Sequence, residues 1–155
     1  MKEFLISLIK QDRLKLVESS ENIFNSYLEK SSSNFESAKI LLEANKLEES
    51  VSLVYYSMYN LVLALLYKVG IKSENHSGSI ILLKELFDFD NQLIFEAKKE
   101  RIDKQYYVGF EVSKKEVEES LVIAENFNRD LKGFVSGLNK IDIKNYRNKF
   151  EDLIN

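Results

Sequence analysis

The stretch from Leu53 to Val69 constrains the fold of this chain more than any other part of the sequence. Only Ser57, Asn60 and Lys68 are clearly polar in it, so a helix formed here would be apolar on nearly every face. A helix on a protein surface keeps one polar face, and this helix must therefore be surrounded by other parts of the protein. Its tyrosines have hydroxyls that need hydrogen-bond partners once they are buried: Tyr55, Tyr56, Tyr59 and Tyr67. The segment predicts the central helix of a bundle, with a polar site inside it.

A membrane span is the competing interpretation of this run. The run is slightly shorter than the ~20 apolar residues that cross a bilayer, and its tyrosines suit a bundle core better. The N-terminal segment Met1–Lys10 is apolar but short, and it has neither a basic start nor a small-residue cleavage site. We interpret it as a short helix, over residues 1–12, of the mature protein. We therefore expect a soluble, cytoplasmic protein that does not contact a membrane.

The composition favours one helical domain. A chain of 155 residues is long enough for one full core and too short for two comfortable ones. It has no proline and only five glycines, which favours long helices with short connections. It has no cysteine, which excludes disulfides and thiolate chemistry. The formal net charge of −3 argues against a broad phosphate-binding surface but leaves room for a local basic pocket.

The first long helix should begin near Ser19 or Ser20. An apolar stripe recurs every three or four residues and defines one helical face: Phe24, Leu28, Ser31, Phe35, Ala38 and Leu42. The three serines 31–33 resemble a linker in composition, but the stripe passes through them without a change of phase. The sequence therefore predicts unbroken helix there, with Ser31 as a small buried contact. The central helix should follow a tight turn at Asn45 and stop at Gly70, a usual C-terminal residue.

The second half of the chain also predicts helices. A polar loop at residues 71–78 should be followed by a short helix at 79–87 and a longer one at about 91–107. Ser113 and Glu116 form a capping box ahead of a further apolar series, which is a strong signal for a helix start. The alternation of apolar and polar residues that marks a strand is not found, and the sequence thus predicts an all-α fold.

A last amphipathic helix is predicted at 142–154, with Asp142 as its cap. Its apolar side is formed by Ile143, Tyr146, Phe150 and Leu153. A four-helix core can be complete without this face. We therefore expect the face to be available for association with a second copy of the chain.

Most known chemistry is excluded by the residue inventory. With no cysteine and a single histidine, a zinc site of the usual ligands is not expected, and we predict no metal and no cofactor. The glycines do not form a phosphate-binding loop, and no histidine lies near a serine–acid arrangement. The paired acids Glu48/Glu49 and Glu118/Glu119 have solvent-type neighbours and are interpreted as hydrated surface.

Three features remain as candidate functional residues. His76 precedes a predicted helix start, where backbone N–H groups attract an anion, although a loop histidine more often packs or caps. Arg101 lies on an otherwise core-like helical row, so it either reaches out to the edge or points into a polar cleft. The tyrosine pairs at positions 55–56 and 106–107 either fill the core or bind a ligand: Tyr55, Tyr56, Tyr106 and Tyr107.

Several segments, taken in order, resemble the HEPN (higher eukaryotes and prokaryotes nucleotide-binding) family. The most specific is Ser50–Tyr59, which reads SVSLVYYSMY, followed by His76-Ser77-Gly78 and then by Arg101 with Tyr106 five residues later. The likeness covers about residues 19–138 and is closest to the small stand-alone prokaryotic members. Within the single domain 1–155, it places the HEPN-like core at 19–138.

The resemblance implies a fold and a set of activities. The fold would be an antiparallel up-and-down bundle of four to five helices, here with extra terminal helices, that commonly dimerises. Many members are ribonucleases, often toxins, with an arginine followed four to six residues later by a histidine. Others act beside a minimal nucleotidyltransferase. Arg101 matches the motif arginine, but Tyr106, Tyr107 and Val108 stand where the histidine would be. Tyrosine, with an unperturbed pKa near ~10, is a poor general base at neutral pH.

Three hypotheses follow. In the first, the chain is a nucleotide- or RNA-binding homodimer and one component of a toxin–antitoxin-like pair with a nucleotidyltransferase. Arg101 would then hold phosphate, with the tyrosines, His76 and Asp103 around the ligand. The second is a metal-independent ribonuclease in which His76 substitutes for the missing histidine from elsewhere in space. The third is a non-catalytic interaction module whose polar cleft only fixes helix packing.

Overall fold

The computed structural model describes residues 1–106 and 111–155. Its described part is nearly all helix, with one two-stranded sheet. The elements in chain order are α1 (Lys2–Lys10), β1 (Leu14–Leu16), α2 (Glu21–Glu43), α3 (Leu47–Val69), β2 (Ile71–Ser73), α4 (His76–Glu85), α5 (Gln92–Tyr106), α6 (Lys114–Ser136) and α7 (Lys140–Ile154). The all-α prediction is confirmed.

Helix α3 is the centre of the bundle. Helices α2, α4, α5, α6 and α7 all pack against it. It is long and apolar enough to pass a membrane-span test, but 83% of the segment that passes is buried inside the protein. The interpretation of this run as a core helix is thus confirmed. It ends at Gly70, whose φ of 89° is the left-handed conformation that favours glycine.

The predicted path of α2 through the three serines is confirmed. Ser20 caps the helix by accepting a hydrogen bond from the N–H of Ile23 at 3.2 Å, and the helix continues unbroken to Glu43. The Ser31 side chain is buried, and its hydroxyl donates to the carbonyl of Ser57 on α3 at 2.6 Å. A small residue was needed here because the two helix backbones approach closely.

The sheet corrects the expectation that strands are absent. Strands β1 and β2 pair antiparallel, with Leu14 opposite Ser73 and Leu16 opposite Ile71. Each strand has only three residues, which is too short to show a readable alternation of apolar and polar side chains. The pair joins the chain after α1 to the end of α3.

Two predicted helix starts were wrong for a common reason. Helix α4 starts at His76 rather than at residue 79, because the Asn75 side chain caps it by accepting from the N–H of Gly78 at 2.8 Å. Helix α7 is capped by Asn139, not Asp142, which instead is the third helical residue of a capping box with Asn139. In both places an asparagine cap begins the helix three residues earlier than expected. The capping box of Ser113 and Glu116 at α6 is confirmed.

The apolar face of α7 is not available for association, contrary to expectation. Phe150 is fully buried, and Tyr146 and Leu153 pack against the same core. Helix α7 contacts α1 and α3 of its own chain. The core therefore uses the face that had suggested a dimer, and any dimer would need another surface.

Candidate functional site

Three tyrosines of α3 form the base of a polar aromatic cluster. Tyr55 and Tyr59 are one helical turn apart and share a face, so their rings stack with centroids 5.8 Å apart. Tyr56 meets Tyr55 edge-on at 5.3 Å. Tyr55 and Tyr59 are buried, whereas Tyr56 is half-buried. The cluster thus has an interior side and a side that is open to solvent.

His76 is placed on this base by the start of α4. Its ring lies parallel to the Tyr59 ring, with centroids 3.9 Å apart and planes within 9°. Its Nδ1 lies 2.8 Å from the Tyr55 hydroxyl. Ser79, one turn further along α4, holds the Tyr59 ring in place, because its hydroxyl lies 3.2 Å from the Tyr59 hydroxyl. The Ser79 hydroxyl itself donates to the hydroxyl of Ser73 at 2.8 Å. The histidine is therefore held by stacking on one side and by a hydrogen bond on one ring nitrogen.

The cluster is electrically neutral at its base. Burial raises the pKa of Tyr55 above its ordinary value and raises the pKa of Tyr59 to about 12, so both phenols keep their protons. Burial, together with the positive charges of Arg101 and Lys98, lowers the pKa of His76. The ring is therefore uncharged at neutral pH. When the Tyr55 hydroxyl donates to Nδ1, the ring proton lies on Nε2.

Helix α5 adds positive charge. The Arg101 guanidinium lies 5.3 Å from the ring centroids of both Tyr55 and Tyr56, within the range of cation–π attraction. Lys98, one turn earlier on α5, donates to the hydroxyl of Ser77 at 2.9 Å. Ser77 is the neighbour of His76 in the first turn of α4. Two cations and the N-terminal end of a helix thus meet beside a neutral histidine, which is an arrangement that attracts anions.

The structure brings together four of the residues that the sequence proposed: Tyr55, Tyr56, His76 and Arg101. Asp103 is half-buried on α5, and its position two residues after Arg101 directs it to a different side of the helix. Tyr106 is the last residue of α5, but the position of its side chain is not described. Tyr107 lies outside the described residues.

Three members of the cluster were not identified as site residues from the sequence: Tyr59, Ser77 and Lys98. Tyr59 had a usable signal, because it lies four residues after Tyr55 and therefore on the same helical face. Lys98 had a similar signal, because it lies three residues before Arg101 and therefore on the same side of α5. The contact between Ser77 and Lys98 had none, since it joins α4 to α5 over a separation of 21 residues. Only the packing of the two helices brings them together.

The described residues do not suggest a metal site. Within 1–106 and 111–155, no three side chains of histidine, cysteine, aspartate or glutamate are grouped so that they could hold a metal ion. The arrangement can instead bind a phosphate through Arg101, with Lys98 near by. It also presents an uncharged imidazole that can exchange a proton near such a phosphate.

Comparison with known proteins gives one finding. The family model described as HEPN domain matches residues 24–134. A comparison with curated proteins gave no significant match. The matched range runs from the first turn of α2 to the end of α6, so it contains every element that forms the aromatic cluster, whereas α1, β1 and α7 lie outside it.

Proposed function

Because the chain belongs to the HEPN family, whose functions are nucleotide- or RNA-related, we propose that it binds RNA or a nucleotide at the Arg101–His76 cluster. The observation that carries this proposal is the position of Arg101 over Tyr55 and Tyr56, the same two rings that the His76 ring contacts. The arginine that matches the family motif by sequence therefore shares two aromatic neighbours with the only histidine of the chain.

In this proposal each group has a separate task. Arg101 holds a phosphate through its planar, two-pronged set of donors, which lysine does not reproduce. Lys98 adds a second positive charge one turn away. Tyr56, half-buried at the open side, offers a ring edge or face to a base or sugar. Asp103, Tyr106 and Tyr107 stay as predicted neighbours of the ligand.

Binding of single-stranded RNA provides the direct test. We expect a labelled ten-nucleotide RNA to bind the protein at low salt, as measured by fluorescence anisotropy. Arg101→Ala should weaken binding at least tenfold, and Arg101→Lys should recover only part of it. Arg129→Ala is the matched control, because this arginine is an exposed residue of α6 and its loss removes the same charge. Equal losses in the Arg101 and Arg129 variants would show that binding is a general charge effect.

A second candidate function is metal-independent cleavage of RNA. The specific observation in its favour is the lowered pKa of His76, because an uncharged imidazole is the form that accepts a proton. In this reaction the Nδ1–H of His76 donates to the Tyr55 hydroxyl, which leaves Nε2 free to take the proton of a ribose 2′-hydroxyl. The oxygen of that hydroxyl then attacks the adjacent phosphorus. The 5′-oxygen of the next nucleotide leaves and takes up a proton from water. The products are a 2′,3′-cyclic phosphate and a 5′-hydroxyl, and Arg101 offsets the charge on the phosphoryl oxygens.

Cleavage and binding are separated by one variant. RNA incubated with the purified protein in EDTA should give cyclic phosphate ends if the second function holds. His76→Ala should then abolish the products while RNA binding persists. Binding without cleavage in the wild-type protein leaves the first function alone, and neither binding nor cleavage would leave only the interaction module.

The proposal includes the partners and setting of the protein. We propose a cytoplasmic homodimer that works with a minimal nucleotidyltransferase as a toxin–antitoxin-like pair. Light scattering at micromolar concentration tests the dimer. Co-purification after co-expression, with the nucleotidyltransferase encoded by a neighbouring gene, tests the partner. Because α7 covers its apolar face with its own chain, the dimer would form through a surface other than that face.

A further inference from the structure

The hydrogen bond that holds His76 has a direction, and burial of its partner sets that direction. Nδ1 of His76 lies 2.8 Å from the Tyr55 hydroxyl. Tyr55 is fully buried, so water does not reach this hydroxyl. Among the described residues, His76 is the only hydrogen-bond partner that the hydroxyl has. The phenol proton of Tyr55 therefore has one acceptor available to it, the Nδ1 atom of the imidazole.

Two proton arrangements are open to this pair, and they differ in free energy. If the Tyr55 hydroxyl donates, Nδ1 accepts and both groups are satisfied. If Nδ1 carries a proton and donates, the buried O–H of Tyr55 has no acceptor among the described residues, which is unfavourable. Ionisation does not remove this conflict, because burial raises the pKa of Tyr55 above its ordinary value. The first arrangement is therefore the stable one, and in an uncharged ring it leaves the proton on Nε2.

The Nε2 edge is the open side of the imidazole. One face of the ring is covered by Tyr59, whose parallel ring lies 3.9 Å away between centroids. Nε2 bonds to no described residue and is not enclosed by protein. The residue as a whole is half-buried. A ligand that enters the cluster therefore meets an N–H group at this edge.

The charged groups beside His76 have the same hydrogen-bonding character. The side chains of Arg101 and Lys98 carry N–H donors and no acceptor. Both lie close enough to His76 for their charges to lower its pKa, although burial is the larger cause. With the proton on Nε2, all three side chains offer donors. The unesterified oxygens of a phosphodiester only accept hydrogen bonds, and they match such a set of donors.

We propose that Tyr55 is a positioning residue that locks His76 as the Nε2–H tautomer, so that the imidazole donates to a phosphate oxygen of the ligand and does not accept a proton. The contact with phosphate rests on the function proposed for the Arg101–His76 cluster, whereas the tautomer does not. Cleavage, the second candidate function, needs the opposite tautomer with an unprotonated Nε2. The lock therefore favours binding over cleavage.

NMR of the protein labelled with ¹⁵N-histidine and purified without a histidine tag tests the tautomer. The chain has one histidine, so the spectrum contains a single imidazole. Nε2 is identified because it couples strongly to both carbon-bound ring protons. At pH 7.5 we expect Nε2 to give the resonance of a protonated ring nitrogen and Nδ1 that of an unprotonated one. A protonated Nδ1, or an average of the two tautomers, would overturn the proposal.

The variant Tyr55→Phe removes the hydroxyl and keeps the ring. We expect its imidazole to become a mixture of tautomers, because Nδ1 then has no donor. Tyr56→Phe is the matched control, since Tyr56 meets the His76 ring edge-on at 6.2 Å without a hydrogen bond to it, and the tautomer should stay as in the wild type. A pure Nε2–H form in Tyr55→Phe, or a mixture in Tyr56→Phe, would refute the role of Tyr55. If Tyr55→Phe does not fold, the wild-type spectrum still decides the tautomer.

An RNA titration tests the contact with phosphate. The ten-nucleotide RNA should shift the Nε2 resonance while the ring stays in the Nε2–H form. His76→Ala should weaken RNA binding about threefold, the contribution of one neutral hydrogen bond, and His76→Gln should recover it because the amide keeps an N–H donor. RNA binding with a protonated Nδ1, or cleavage that depends on His76, would overturn this inference alone. Absence of RNA binding would overturn the phosphate contact together with the function proposed for the cluster.

Discussion

Removing the side chain of Arg147 should destabilise the whole protein although it lies outside the HEPN match. Arg147 belongs to α7, and its Nη1 donates to three backbone carbonyls: Val17 at 2.7 Å, Val69 at 3.0 Å and Gly70 at 3.1 Å. Two of these belong to the end of α3 and the residue that follows it, where the last carbonyls of a helix have no partner within the helix. The arginine thus completes the C-terminal end of the central helix.

The expected loss follows from these contacts. A hydrogen bond from a charged group contributes about 1.5–3 kcal/mol, and one nitrogen shared by three acceptors does not give three full bonds. A cation at a helix C-terminus adds about 0.3–1 kcal/mol. Arg147→Met keeps most of the apolar stem, so we expect a loss of about 3 kcal/mol in the free energy of unfolding. For a chain of this length, that corresponds to a fall of roughly 6–12 °C in Tm.

Urea unfolding followed by circular dichroism at 222 nm measures this loss as a change in midpoint at constant slope. Arg129→Met is the matched control. Its side chain is 69% exposed and lies 3.7 Å from Asp130, so the change should be within about 0.5 kcal/mol. Arg147→Lys should be intermediate, since one ammonium cannot reproduce the fork of donors. A loss below about 1 kcal/mol in Arg147→Met would refute the view that α7 holds the end of α3.

Three further predictions concern single positions. Gly70→Ala should lower the free energy of unfolding in urea by about 3 kcal/mol, because φ is positive and an added Cβ would meet Arg147 and lie 2.6 Å from the Val17 carbonyl oxygen. The same change should cost less in the Arg147→Met background, and strictly additive losses of stability would contradict the shared contact. Arg101→Ala should cost only about 1 kcal/mol, the size of a cation–π contact at a half-buried site, and a loss of several kcal/mol would make Arg101 a structural residue. The free energy of unfolding of the wild type should fall as pH falls from 7.5 to 5, because the pKa of His76 is lowered in the folded state and the unfolded chain takes up the proton first, near pH ~6.5. His76→Phe should lose less stability over the same interval, and an identical loss in the two proteins would contradict this assignment.

The sequence predicted those features of the fold that depend on local periodicity and capping. The stripe from Phe24 to Leu42 correctly outweighed the linker-like composition of the three serines, because a buried face needs constant phase more than it needs large side chains. Gly70 and the capping box at Ser113 were correct for the same local reason. The errors at α4 and α7 came from passing over asparagine as an N-cap.

The candidate site was predictable only in part. Tyr55, His76 and Arg101 could be proposed because they are chemically unusual in their segments or match a family pattern. Their contact could not be read from the sequence, since it depends on how α4 and α5 pack against α3. The prediction that the apolar face of α7 is free was wrong for a similar reason, because periodicity shows that a face is apolar but not which surface covers it.

The stacking of His76 on Tyr59 also gives this protein a built-in optical signal. The chain has no tryptophan, so its near-ultraviolet circular dichroism and its fluorescence come mainly from tyrosine. Among the described side chains, the rings of Tyr55, Tyr56 and Tyr59 lie near the His76 ring, at centroid distances of 3.9 to 6.2 Å. A ligand that shifts the imidazole or Arg101 changes the asymmetric surroundings of these rings. Occupancy of the cluster can therefore be followed in the unlabelled protein, and comparison with Tyr59→Phe separates the signal of the stack from that of the remaining tyrosines.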